Sequence, residues 1–87
     1  MLQEASVIRI TKRVVKQNGT IKVDGQLTAD VIDELKDKCA SIKGTLFLDL
    51  EQTTWIDMES LAVVKALIAE GAVLSASSPF VRELLRL

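Results

Sequence analysis

The sequence has no histidine and no tyrosine, and it has a single cysteine and a single proline. Without histidine it lacks the usual neutral-pH general base and the commonest metal ligand. No Ser-His-Asp or Cys-His arrangement can be assembled within the chain, and one cysteine alone makes no zinc site of the ordinary kind. A lone cysteine also forms no internal disulfide, so the fold rests on its core. Aromatics are scarce: Phe47, Trp55 and Phe80. Neither charge sign dominates. Eleven Lys and Arg face twelve Asp and Glu, for a net charge of −1. There is thus no global basic field for nucleic acid. No apolar run reaches the roughly 18 residues of a membrane span; the best candidate, residues 61–69, is short and carries Lys65. Met1-Leu2-Gln3-Glu4 has no basic start leading into an apolar stretch, so no secretory signal is expected. These absences predict a cytoplasmic protein that is not an enzyme, uses no metal or cofactor, binds no nucleic acid and does not insert into a membrane.

What is present is a chain of 87 residues, 48% hydrophobic, expected to form one domain over residues 1–87. Residues 7–16 read as a basic edge strand, in which Arg9, Lys12, Arg13 and Lys16 guard against aggregation. Asn18-Gly19 is a hairpin signal, since both residues tolerate positive φ. Residues 20–24 alternate cleanly, with Ile21 and Val23 on one face, and Gly25 is expected to close the strand. Thr28 is the expected N-cap of an amphipathic helix with Val31, Ile32, Leu35, Cys39 and Ile42 on its apolar side. Cys39 there is expected to be a buried, inert thiol.

Residues 45–50 read as a buried central strand, residues 53–56 as a loop, and Asp57 as the cap of a second helix ending near Glu70-Gly71. Residues 72–75 form a short strand. Ser78-Pro79 then opens a last helix over residues 80–87, within which the sequence stops. The order predicts an α/β fold: a four-stranded mixed sheet with an N-terminal hairpin at its edge, otherwise mainly parallel, covered by about three helices.

The second helix has an uncommon outer face. At 100° per residue, Leu61, Val63, Val64, Leu67 and Ile68 form its core side. Opposite lie Met58, Glu59, Ala62, Lys65, Ala66 and Ala69, a face of small and apolar residues with one charge of each sign. Helix propensity alone accounts for alanine. The alternative is a platform that a partner's backbone approaches closely, with Met58 as an adaptable apolar contact. Trp55, just before this helix, either covers the core or anchors a partner. Asp49, Glu51 and Asp57 could be drawn as an acidic cation pocket, but they do not come from two different strand ends, and a solvated Glu51 is the simpler reading.

Three stretches resemble the STAS family, which includes the anti-sigma factor antagonists. Val15-Lys16-Gln17-Asn18-Gly19-Thr20-Ile21-Lys22-Val23-Asp24-Gly25-Gln26-Leu27 is similar to the family's opening hairpin. Leu46-Phe47-Leu48-Asp49-Leu50-Glu51-Gln52-Thr53-Thr54-Trp55-Ile56-Asp57 is similar to its central strand and the loop ending in aspartate. Ser77-Ser78-Pro79-Phe80-Val81-Arg82-Glu83-Leu84-Leu85 is similar to its last strand exit and Pro-x-Val helix. In order and spacing they span nearly the whole chain.

The resemblance implies a non-catalytic protein–protein interaction module in a bacterial partner-switching pathway that regulates transcription. Its partner would be an anti-sigma factor or serine-kinase-like protein docking on Trp55, Asp57, Met58, Glu59, Ala62, Lys65, Ala66 and Ala69. Family members follow the aspartate with a phosphoacceptor serine. Here that position is Met58, which carries no hydroxyl; Glu59 comes next, and Ser60 stands where a glycine is usual. The resemblance therefore implies a module not switched by phosphorylation at the usual site. STAS-like domains also serve as small subunits of membrane transport complexes, which is the second expectation, and a homodimer through the alanine face is the third. Compared with the family, the second helix is shorter, and a further strand and helix that many members carry do not follow the third helix.

Overall fold

The computed structural model describes residues 8–86. The expected strand start at Val7, the helix end at Leu87 and the N-terminal residues read for a signal lie outside them.

The elements run β1 (Ile8–Val15), β2 (Asn18–Leu27), a 3-10 turn (Ala29–Val31), α1 (Ile32–Ala40), β3 (Leu46–Leu50), β4 (Thr53–Ile56), α2 (Met58–Ala69), β5 (Val73–Ser77) and α3 (Pro79–Leu85). The sheet has five strands in the order β1-β2-β3-β5, with β4 also paired to β2. Only the β1–β2 hairpin is antiparallel among these pairings. The mixed α/β class, the hairpin edge and the three helices are as the sequence predicts. The strand count is one higher, because residues 53–56, read as a loop, form β4. After a two-residue break at Glu51-Gln52, β4 continues along the same side of β2 that β3 occupies. Broken alternation hid this strand: Thr53 and Ile56 are buried while the two consecutive residues between them, Thr54 and Trp55, are exposed.

Two further corrections concern β2. The hairpin turn is Lys16-Gln17, with Lys16 at φ 59°, and Asn18-Gly19 already lie in the strand. Both residues are engaged by the loop after α1. Asn18 Oδ1 accepts from the Thr45 N–H at 2.9 Å, and the Gly19 N–H donates to the Thr45 carbonyl at 3.0 Å. A β-carbon at Gly19 would meet the Ile42 side chain, its Cγ1 at 2.5 Å. Gly19 is thus required for close packing, not for a turn. Nor does Gly25 close β2. At φ 105° it marks a bulge, and the strand continues through it to Leu27.

The core joins Ile21, Val23 and Leu27 of β2, Leu48 and Leu50 of β3 and Ile56 of β4 to Ile32, Leu35 and Cys39 of α1, Val64 of α2 and Val81 and Leu85 of α3. All three helices therefore lie against one face of the sheet. Topology gives the reason. From β2 to β3 and on to β5 the chain crosses the sheet in one direction, and right-handed crossovers then fall on the same side. Cys39 is buried as expected, and burial pushes its thiol up to about 11, which keeps it protonated.

At α3, Ser78 caps as predicted: its Oγ accepts from the Val81 N–H at 3.2 Å and donates to the Thr53 carbonyl at 3.1 Å. The helix ends at Leu85, with Arg86 left-handed at φ 43°. Among the described residues no helix is long and apolar enough to cross a membrane.

Candidate interaction surface

The second helix begins on Asp57. One carboxylate oxygen accepts from the Ser60 N–H at 2.8 Å, capping α2. The other accepts from the Ala29 N–H at 2.8 Å, capping the 3-10 turn that leads into α1. Thr28, the expected cap of α1, makes no capping bond; its hydroxyl donates to the Asp30 carboxylate instead. A single side chain thus fixes two helix entries side by side. The Ser60 hydroxyl and then the Ser60 N–H hold the Asp57 carboxyl below its ordinary value; desolvation opposes them, and the Ala29 N–H adds the least.

Ser60 itself is fully buried, and its Oγ makes no hydrogen bond of ordinary geometry, so the N–H bond at 2.8 Å is the firmer of its two links to Asp57. Met58 is 84% exposed. The predicted outer face is the exposed face: Met58, Glu59, Ala62, Lys65, Ala66 and Ala69 all face solvent. The predicted core side is less deeply set than expected. Val64 is buried, whereas Leu61, Val63, Leu67 and Ile68 are half-buried. Between α1 and α2 an open groove of about 360 Å³ is lined by Lys36, Ala62, Val63, Ala66, Leu67 and Glu70. The alanine face and the half-buried flank of α2 meet in this groove.

Trp55 is 50% exposed and does not close over the core. Its ring stacks on Phe80 of α3, with centroids 5.9 Å apart and planes at 23°. Phe80 was not singled out in the sequence, although its place just after the Ser78-Pro79 cap fixes it at the start of α3. Asp49 and Glu51 stay apart from Asp57 in role. Asp49 Oδ1 accepts from the Glu51 N–H at 3.1 Å, while Asp57 serves the two helix entries. Among the described residues, no three Cys, Asp or Glu side chains are placed to hold a metal ion.

A scan against protein-family models finds no match, and neither does a search of curated proteins. Among solved structures, the chain is similar to the anti-sigma factor antagonist SpoIIAA in its unphosphorylated form. The match has a TM-score of 0.66 and 14% identity, covering 91% of this chain and 81% of that one. It is also matched, with a TM-score of 0.45 and 16% identity over 80% of this chain and 63% of the other, to a DUF3478 protein of SpoIIAA-like fold from Shewanella loihica PV-4. The chain thus has the fold of a STAS domain.

Proposed function

We propose that this domain is a non-catalytic protein–protein interaction module that docks through the start and outer face of α2. The observation that carries the reading is that face itself. Met58, Ala62, Ala66 and Ala69 are exposed on one helix, beside a groove whose floor includes Val63 and Leu67. A solvated face normally carries several charges, as α1 does with Asp33, Glu34 and Asp37. Trp55, Asp57, Glu59 and Lys65 complete the surface, and the Asp57 double cap holds it rigid.

By analogy with SpoIIAA, the partner is an anti-sigma factor or a serine-kinase-like protein in a bacterial cytoplasm, and the outcome is transcriptional control. Regulation differs from phosphorylation at the usual position. Met58 offers no hydroxyl, and a kinase cannot reach a serine as deeply buried as Ser60 in the folded domain. Treatment with a cognate kinase followed by intact-mass measurement should leave the mass unchanged; a phosphate mapped to Ser60 would contradict this.

The same missing hydroxyl favours a second reading, a small subunit of a membrane transport complex, where no phosphorylatable serine is needed. Co-purification from native extract separates the two, since a soluble kinase supports the first and a membrane transport assembly the second. A homodimer through the alanine face would show as a doubled mass in light scattering.

A further inference from the structure

The three helices all cover one face of the sheet, and this leaves a second feature unaccounted for. Parallel strands are found almost only in sheets covered on both faces, and here β2, β3, β4 and β5 run parallel. The face that no described helix covers follows from strand alternation, on the side opposite Ile21, Val23, Leu48 and Leu50. Register places its residues in rows across the strands. Arg13 of β1 lies opposite Thr20 of β2, then Phe47 of β3, then Val73 of β5. The next row is Thr11, Lys22, Asp49 and Ala76, and Arg9 pairs with Asp24 beyond it.

The face has two halves. Towards β5 it is apolar: Val73 is 43% exposed, and Phe47 stands half-buried outside the core cluster. Towards β1 it is charged, and the cations Arg9, Arg13 and Lys22 outnumber the carboxylates Asp24 and Asp49. None of these three cations has a carboxylate within 4.0 Å among the described residues. Between the halves lies a depression of about 260 Å³ lined by Thr11, Arg13, Thr20, Lys22 and Asp49.

We propose that this open sheet face is a second docking surface, and that it takes an acidic amphipathic helix of a partner protein. A helix is the element that covers a parallel sheet. Its apolar stripe would lie on Phe47, Val73 and Ala76, and Asp or Glu residues along one flank would meet Arg9, Arg13 and Lys22. This surface is on the opposite side of the sheet from α2, so both could be occupied at once.

A displayed library of helical peptides, selected against the whole chain, tests this without a known partner. The expected winners carry Asp or Glu beside an apolar stripe, and their amide shift changes map to residues 9–13, 20–24, 47–49 and 73–76. Arg13→Glu with Lys22→Glu should weaken them at least tenfold, with circular dichroism unchanged; Ala62→Arg, on the other surface, should not. If that double variant unfolds, Lys22→Glu alone gives the same comparison. The proposal is overturned if no peptide is enriched, if the winners lack acidic residues or ignore the charge reversal, or if their shifts map to α2. It is equally overturned if the face instead binds phosphatidylserine vesicles in preference to peptide, or mediates self-association that the charge reversal abolishes.

Discussion

Asp57 and Ser60 show how much one turn of chain can determine. The Asp57 carboxylate bonds two amides from different helix entries, so its charge is tied to the relative placement of α1 and α2. Its folded pKa lies below the unfolded value, so its contribution to stability is fully present above the ordinary carboxylate range and is lost as pH falls from about 4 to the lower folded value. Urea midpoints at descending pH should therefore drop more steeply for the wild type than for Asp57→Asn, which lacks the charge. Parallel slopes would contradict this. Ser60 contributes a different effect. A buried hydroxyl without a partner is destabilising, and Ser60→Ala removes it while leaving the capping N–H in place. Urea denaturation of Ser60→Ala should show a gain of about 1 kcal/mol; a loss would show that the hydroxyl serves the Asp57 carboxylate instead.

Elements were legible where caps and periodicity agree. The sequence placed α2 within a residue at each end, because Asp57 and Gly71 are both required: one as a cap, the other at φ 117° just past the helix. It placed the Ser78-Pro79 start of α3 for the same reason. The misses arose where a tertiary contact overrode a local signal. Asn18-Gly19 carries the composition of a turn, yet the Thr45 backbone and the Ile42 side chain engage it within β2. Thr28 has the composition of a cap, yet Asp57, 28 residues away from Ala29, supplies the bond. No reading of neighbours along the chain reaches either fact. A prediction tests the first. Gly19→Ala should cost about 1–3 kcal/mol in chemical denaturation, as overpacking does, and much of that loss should be recovered in the Gly19→Ala, Ile42→Ala pair. Simple additivity of the two changes would show that Gly19 and Ile42 are not coupled.

At the scale of the molecule, one-directional crossing of the sheet determines everything outside the core. It gathers the helices on one face, where α2 presents its alanines, and leaves the parallel strands bare on the other. The fold class was legible because alternation of strands and helices implies it. The composition of α2's outer face was legible as well, and the exposure of Ala62, Ala66 and Ala69 agrees with it. The shallow seating of α2, with Val64 as its one buried apolar residue, was not, since the helical wheel shows which side faces inward but not how far.

The most direct test of docking through α2 is a quantitative comparison of partner recovery from native extract. Wild-type chain is set against Ala62→Arg with Ala66→Arg, and circular dichroism establishes that both are folded. The account predicts that the same kinase-like or transporter partner is recovered with the wild type and falls at least tenfold with the variant, equivalent to about 1.4 kcal/mol of binding. Equal recovery by both folded proteins would contradict it.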